Sequence, residues 1–315
     1  MKEKTLERIV SNWEKIDHMQ KNSMASVPRL LMLEVTNACN LKCKMCGNSK
    51  MTRNKGMMPK SFGIRMIQEA AQMGIQEVAL YTTGEPLIYP HLEQLIIEAK
   101  KQELYCYITS NGLLLNESSI EMLCKSQLDS FKFSIDGSNK QEYESIRKQG
   151  NFDTLLKNIR LLKEKRDQLN SHLKIICAMV LLKENQDHQL DFKKTFEPLC
   201  DDILLSKATN IGGKFNKNES SEKKICRTIK PCRLLWDRII VNYDGKITAC
   251  CVDFNAELVY DDCNLTSLTK AWNNQTIQDW RNRHLSGNIN DLPLCNVCDA
   301  PYVFDANDLK QTMGK

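Results

Sequence analysis

Six patterns typical of buried β-strands alternate with amphipathic helix patterns, and this alternation constrains the fold more than any other feature of the chain. Strands that alternate with helices at this spacing form parallel βαβ units. Six units are too few for a closed eight-stranded barrel, so the sequence predicts a partial, open barrel or a doubly wound sheet. The predicted strands are 29–36, 77–83, 104–110, 130–136, 173–181 and 202–209, and the predicted helices are 62–73, 91–101, 117–126, 152–170 and 187–199.

Composition excludes several classes of protein. Hydrophobic residues make up 42% of the 315 residues, which is enough for a buried core. The longest apolar run spans 175–182, whereas a membrane-spanning helix needs about 20 residues. The charged N-terminus lacks the apolar segment of a signal peptide. The net charge of +5 is spread along the chain rather than gathered into one patch. We therefore expect a cytoplasmic protein that binds neither membranes nor nucleic acid.

The chain contains 14 cysteines, and half of them lie in residues 226–315. Because the cytosol keeps thiols reduced, clustered cysteines in such a chain more often bind metal or do redox chemistry than form disulfides. A polar stretch separates this C-terminal region from the strand–helix alternation. The sequence therefore predicts four parts: a helical arm at 1–28, a core domain at 29–211, a linker at 212–229, and a small α+β domain at 230–315 that contains a β-hairpin.

The first cysteine cluster follows the first predicted strand with the spacing C-x3-C-x2-C. Its members are Cys39, Cys43 and Cys46. The same spacing would also fit a stripe of core cysteines on a helix, but the polar residues Asn37, Asn40 and Lys42 among them disfavour a buried helix. Three thiolates hold only three irons of a [4Fe–4S] cluster, which normally takes four. The pattern therefore predicts a cluster with one iron left open for a ligand.

In this motif the chain resembles the radical S-adenosylmethionine (radical SAM) superfamily. The resemblance implies a partial (β/α)6 barrel, and S-adenosyl-L-methionine (AdoMet) bound to the open iron and cleaved reductively to a 5′-deoxyadenosyl radical. Residues 83–86 resemble the family's Gly-Gly-Glu-Pro motif, with Thr83 in place of its first glycine. The AdoMet-binding residues that the resemblance implies are Gly84, Glu85, Pro86, Ser110, Asn111, Ser134 and Asp136.

The fourth predicted strand supports a ligand inside the barrel. Lys132, Ser134 and Asp136 alternate with Phe131, Phe133 and Ile135, so the polar side chains share one face of the strand. A barrel filled only by its own side chains would have an apolar interior. The alternative interpretation is a half-exposed edge strand.

The second cysteine cluster resembles the SPASM/twitch extension of radical SAM enzymes. Cys232, Gly245 and Cys250 match its C-x(9–15)-G-x4-C opening, and a C-x2-C pair follows. We expect one auxiliary [4Fe–4S] cluster, although spacing alone leaves a zinc site open. Its predicted ligands are Cys232, Cys250, Cys295 and Cys298.

The remaining cysteines carry different expectations. Cys226 could shield or ligate the auxiliary cluster. Cys251 and Cys263 are candidate hydrogen donors to a substrate radical, or else small buried residues. Four cysteines lie in apolar strand or helix patterns and are expected in the core: Cys106, Cys124, Cys177 and Cys200.

The resemblance implies an oxidoreductase that abstracts hydrogen from its substrate and uses the auxiliary cluster as electron acceptor, with flavodoxin or ferredoxin as reductant. Only 28 residues precede the first strand, which favours a small polar substrate of the sugar, cyclitol or amino-sugar type over a peptide. The alternatives are an epimerase with a cysteine hydrogen donor and a peptide-modifying maturase. Two non-enzyme alternatives are an iron–sulfur electron carrier and a zinc-binding module.

Overall fold

The computed structural model describes residues 23–213, 215 and 230–303. Most of the predicted N-terminal arm, most of the linker and Cys226 lie outside the described residues. The described residues form nine strands: β1 Leu30–Leu33, β2 Glu77–Ala79, β3 Tyr105–Ser110, β4 Ser130–Ser134, β5 Lys174–Leu181, β6 Asp202–Lys207, β7 Arg238–Val241, β8 Lys246–Thr248 and β9 Val259–Asp262.

Ten α-helices accompany these strands in the described part of the chain. They are α1 Lys60–Met73, α2 Leu92–Lys101, α3 Glu117–Lys125, α4 Lys140–Ile146, α5 Phe152–Gln168, α6 Gln189–Phe196, α7 Leu234–Asp237, α8 Leu268–Trp272, α9 Gln275–Ser286 and α10 Ala300–Val303. No helix among the described residues is both long and apolar enough to cross a lipid bilayer.

All nine strands form one sheet in the order β6-β5-β4-β3-β2-β1-β7-β8-β9. Strands β1 to β6 are parallel neighbours in sequence order, as the strand–helix alternation predicts. Strand β7 of the cysteine-rich region pairs in parallel with β1, and β8 and β9 continue antiparallel. The predicted hairpin is therefore β7–β8, and it extends the core sheet.

The helices α1, α2, α3, α5 and α6 cover one face of the sheet. Their apolar side chains form a single buried core with the strand residues of that face, among them Phe131 and Phe133 of β4. A separate, smaller apolar cluster of Leu30, Met32, Ala79 and Ile240 lies on the opposite face and includes no helix residue. We call this opposite face the inner face. Among the described residues, helices cover one face of the sheet only, which is the arrangement of a partial barrel rather than of a doubly wound sheet.

A buried charge network joins β1 to β7 at the start of these strands. Arg29 donates two hydrogen bonds to Asp237, at 2.9 Å and 3.0 Å, and Arg238 donates from Nε at 2.9 Å. Arg29 also pairs with Glu77 of β2. Burial alone would raise the pKa of Asp237, but the charges of Arg238 and Arg29 outweigh it and lower that pKa. The network therefore fixes the seam between the core and the cysteine-rich region.

Asp237→Asn is expected to lower the free energy of unfolding by about 3–5 kcal/mol, because Arg238 loses its carboxylate partner and Arg29 keeps only Glu77. Since folding lowers the pKa of Asp237, its stabilisation is present above the ordinary value of about 3.9 and is lost as the pH falls through the lowered value. Urea denaturation at pH 7 measures the change. Asp153→Asn, which breaks the exposed pair with Lys140, is the control and should have little effect.

Candidate active site

Two buried asparagines shape the loop that carries the first cysteine cluster. The Asn37 side chain accepts from the N–H of Gly56 at 2.8 Å and donates to the carbonyl of Asn54 at 2.9 Å. The Asn48 side chain donates to the carbonyls of Asn37 at 2.8 Å and Thr83 at 2.6 Å. The loop is therefore fixed by contacts on both sides. It places these thiols directly after β1: Cys39, Cys43 and Cys46.

The three thiols lie beside two cations. Arg147 Nη1 donates to Cys43 Sγ at 3.5 Å. Lys55 Nζ donates to the Asn37 carbonyl and the Asn48 side chain, each at 3.0 Å. Burial raises the pKa of Cys39 to about 11 and also raises that of Cys46, whereas the charges of Arg147 and Lys55 act on Cys46 in the opposite direction.

This donor set fits an iron–sulfur cluster with three protein ligands. Metal binding requires thiolates, and nearby cations offset their negative charge. Arg147 Nε is buried and has no hydrogen-bond partner among the described residues. Arg147 Nε is therefore a buried donor next to the cysteine loop that could bind a further acceptor. Composition and motif spacing missed Arg147, because an arginine in a polar stretch does not reveal its long-range partners.

Gly84 permits the loop after β2 to pack directly on the cysteine loop. A Cβ atom at this position would lie 2.2 Å from the Thr36 carbonyl oxygen and 2.7 Å from that of Ala38. The N–H of Glu85 donates to the same Ala38 carbonyl at 2.8 Å. A side chain at position 84 would therefore push the two loops apart. Pro86 is buried and begins the short 3-10 helix Pro86–Ile88.

The Glu85 carboxylate joins the ends of β2 and β3. It accepts from Ser110 Oγ at 2.6 Å, from the Asn111 N–H at 2.9 Å and from the Leu87 N–H at 3.2 Å. Burial raises its pKa. The Asn111 side chain in turn donates to Asn40 in the cysteine loop at 2.8 Å. The observed role of Glu85 is thus to hold these loops together, and a contact with AdoMet stays a prediction.

Asp136 also makes structural contacts. Its Oδ1 accepts from the Val180 N–H at 2.7 Å, and its Oδ2 pairs with Arg147. Asp136 has a φ of 68°, which is uncommon for a residue other than glycine. The sequence predicts a place near the ribose of AdoMet for both Asp136 and Ser134. The structure shows that Asp136 orients Arg147 toward Cys43, while Ser134 lies half-buried at the end of β4.

Aromatic and cationic side chains line the inner face. The rings of Tyr81 and Tyr107 lie 6.0 Å apart, and Lys132 Nζ lies 5.9 Å from the centre of the Tyr81 ring. No described residue forms an ion pair with Lys132. Thr109, which pairs with Lys132 across β3 and β4, has a buried hydroxyl without a hydrogen-bond partner in the described part of the chain. The inner face is therefore suited to a polar ligand.

The second cysteine cluster surrounds a cavity of about 190 Å³. The structure brings all four predicted ligands to its wall and adds a fifth cysteine. These residues are Cys232, Cys250, Cys251, Cys295 and Cys298. Within the described residues, no three His, Cys, Asp or Glu side chains converge closely enough for a single metal ion. A cube bound through one thiolate per iron tolerates a wider ligand spacing than a tetrahedral zinc site.

His284 of α9 also lines this cavity. Its Nδ1 accepts from the N–H of Cys232 at 3.4 Å, while its Nε2 is buried without a partner among the described residues. Burial lowers the pKa of His284 to about 4, so the ring is neutral at pH 7. A spare buried donor beside thiols again fits a bound iron–sulfur cluster.

The two candidate hydrogen donors lie in different places. Cys251 lines the cavity and also packs against the apolar cluster of the inner face. Cys263 is buried in the helix-covered core instead, and its carbonyl accepts from Arg65 of α1 at 2.8 Å. Only Cys251 therefore adjoins both the inner face and the second cysteine cluster. The cysteines expected in the core are buried, except for the half-buried Cys200.

Fold and site together define an iron–sulfur enzyme with a partial barrel and a cysteine-rich extension. The family model of the radical SAM superfamily matches residues 33–195, just over half of the chain, and the model of the SPASM iron–sulfur cluster-binding domain matches residues 232–299. The chain belongs to the radical SAM superfamily. Its two domains imply an AdoMet-binding [4Fe–4S] cluster, an auxiliary cluster and AdoMet as cofactors.

Curated relatives have several activities. A PqqA peptide cyclase from Granulibacter bethesdensis is 31% identical over 120 residues, which cover 38% of this chain and 32% of that protein. A GTP 3′,8-cyclase from Clostridium perfringens is 29% identical over 257 residues, which cover 76% and 77% of the two chains. The chain thus spans about a third of the length of the first curated relatives that it matches.

Solved structures share the fold at low identity. SuiB of Streptococcus suis, bound to the precursor peptide SuiA, has a TM-score of 0.67 and 16% identity, with 95% of this chain and 77% of that chain covered. BtrN in complex with AdoMet and 2-DOIA has a TM-score of 0.60 and 17% identity, with 88% and 94% covered. At these identities the likeness shows the fold alone.

Proposed function

We propose that this radical SAM enzyme oxidises a polar substrate bound on the inner face, with the auxiliary cluster as electron acceptor. One observation carries the proposal: Cys251 belongs both to the wall of the second cavity and to the apolar cluster of the inner face. A substrate on the inner face would therefore lie next to the auxiliary cluster. Such contact suits electron transfer from substrate to cluster.

The bound cofactors would supply hydrogen-atom abstraction at the first cysteine loop and one-electron acceptance at the second site. The chain's own residues position the reactants. Cys39, Cys43 and Cys46 would hold the first cluster, while Arg147 and Lys55 offset the charge of their thiolates. The substrate would lose one hydrogen atom to the 5′-deoxyadenosyl radical, one electron to the auxiliary cluster and one proton to solvent, which is a two-electron oxidation in total. Flavodoxin or ferredoxin is the proposed source of the reducing electron.

Tyr81, Tyr107 and Lys132 are the proposed substrate-binding residues. The tyrosine rings provide apolar walls with polar ends, and Lys132 offers an ammonium group without an ion-pair partner among the described residues. The buried hydroxyl of Thr109 has no hydrogen-bond partner among the described residues, and a substrate hydroxyl could provide one. These groups favour a small substrate rich in hydroxyl groups. The fold shared with BtrN, solved with 2-DOIA, supports the same choice.

A peptide is the second candidate substrate. The relative named a PqqA peptide cyclase and the structural neighbour SuiB, solved with a precursor peptide, both favour it. Anaerobically reconstituted enzyme, AdoMet and dithionite should be incubated with amino-cyclitols, amino sugars or precursor peptides. Stimulated 5′-deoxyadenosine formation with a product lighter by two hydrogens supports the oxidation of that class. Bound zinc without AdoMet cleavage would contradict both candidates.

Cys251→Ala tests oxidation against epimerisation. Oxidation needs no hydrogen donor, so the variant should still form the oxidised product, and the reaction in D2O should place no deuterium at the reacting carbon. Mass spectrometry of the product measures both outcomes. Cys263→Ala is the control, because this thiol lies in the helix-covered core. Deuterium incorporation that Cys251→Ala abolishes and Cys263→Ala preserves would identify an epimerase.

A further inference from the structure

Besides the cysteines, four side chains in the lining of the cavity at the second cysteine cluster carry N–H or O–H donors: Thr209, Lys230, His284 and Asn296. Much of its wall is apolar, including Leu234, Leu235, Val252, Leu258 and Leu294. The cube that the SPASM domain implies carries inorganic sulfides as well as thiolates, and both kinds of sulfur accept hydrogen bonds. In an apolar cavity each such bond is electrostatically stronger than in water. A single donor within hydrogen-bond distance of a cluster sulfur would therefore change the reduction potential of the cluster.

His284 provides this donor. It is only 3% exposed, and it lines the cavity together with the five cysteines. Its Nδ1 accepts from the backbone N–H of Cys232 at 3.4 Å, so in the neutral ring the proton is on Nε2. That Nε2 has no partner among the described residues. Leaving a buried N–H unpaired costs free energy, which a ligand in the cavity would recover.

We infer that His284 donates a hydrogen bond from Nε2 to a sulfur of the auxiliary cluster and raises its reduction potential. Reduction adds negative charge to the cluster, and a donor at sulfur stabilises the more negative state; hydrogen bonds to sulfur are among the known determinants of these potentials. His284 is thus a positioning residue for electron transfer. The inference deepens the proposed oxidation, because a higher potential makes the cluster a better electron acceptor.

His284→Leu in the full-length, reconstituted protein tests the inference. The midpoint potential of the auxiliary cluster should fall by about 59 mV, which corresponds to a tenfold change in the ratio of reduced to oxidised cluster. Spectroelectrochemistry without substrate measures it, so failure of the proposed oxidation would not affect the result. Combining His284→Leu with Cys39→Ala, Cys43→Ala and Cys46→Ala removes the first cluster, so that the measurement reports the auxiliary cluster by itself. His172→Leu, at an exposed position outside the cavity lining, is the control.

Two further measurements keep the inference falsifiable. His284→Gln retains an N–H donor and should restore part of the potential even if His284→Leu folds poorly. Pulsed EPR of the reduced wild-type protein in D2O should detect an exchangeable deuteron coupled to the auxiliary cluster, and His284→Gln should alter that coupling. An unchanged potential in His284→Leu would overturn the inference. A strong nitrogen coupling in the wild-type protein, together with loss of iron from His284→Leu, would also overturn the inference, because both would show that His284 is a ligand of the cluster.

Discussion

Replacing Cys39, Cys43 and Cys46 together with alanine should abolish AdoMet cleavage and lower the iron content from about eight to about four atoms per chain. The three thiols are the cysteines of the loop after β1, where Arg147 and Lys55 lie beside them. Without them the first cluster has no ligands, whereas the cavity around Cys232 keeps its own. Iron and sulfide analysis, together with chromatography of 5′-deoxyadenosine, measures both effects.

The control for this experiment is Cys124→Ala. Cys124 lies on α3 in the helix-covered core and faces neither cysteine site, so the variant should keep both clusters and AdoMet cleavage. A triple variant that retains all its iron would contradict the assignment of the first cluster. So would a triple variant that still cleaves AdoMet at the wild-type rate.

Gly84→Ala should have the second largest effect. The added methyl group would lie 2.2 Å from the Thr36 carbonyl oxygen, and this neighbour is backbone that cannot rotate away. We expect the free energy of unfolding to fall by at least about 1–3 kcal/mol. Because the displaced loop carries Glu85, which anchors the end of β3, AdoMet binding should also be lost. Urea denaturation and equilibrium dialysis with labelled AdoMet measure the two consequences.

Gly63→Ala is the matched control for Gly84→Ala. Gly63 lies within α1, and a Cβ atom there would meet the flexible end of the Leu95 side chain at 3.0 Å. Alanine also favours the helix by about 1 kcal/mol relative to glycine. We expect near-normal stability and normal AdoMet binding. Equal losses in the two variants would show that the close contact with the cysteine loop has no special role.

The sequence predicts the strand and helix order well because each element has a strong local pattern. All six core strands and the five helices predicted between them appear at the expected places, with ends shifted by a few residues. Four elements of the described chain were missed: β9, α4, α7 and α10. Strand β9 has acidic residues at positions where a strand pattern would be apolar. The three helices are seven residues or shorter, so their apolar patterns are too short to recognise, and α4 depends on its Asn139 cap.

The candidate site also has features that the sequence predicts and features that it does not. Motif spacing indicates the two cysteine clusters because most of their members are close in the chain, and the structure brings the second set to one cavity. Long-range contacts decide the rest. Asp136 orients Arg147, and Cys251 and Cys263 separate to different faces of the sheet although only twelve positions divide them. Neither fact is visible from spacing or residue type.

The continuous sheet has a practical consequence for attempts to divide the chain. Strand β7 covers the edge of β1 with a full parallel ladder from Arg238 to Val241. A fragment that stops in the polar stretch before β7 would leave the peptide groups of β1 that face β7 without partners, while β2 would still pair with the other edge. Such a bare edge invites pairing with other molecules. Expression of the barrel alone should therefore give aggregates. The cysteine-rich extension prevents this edge of the barrel from pairing with other molecules.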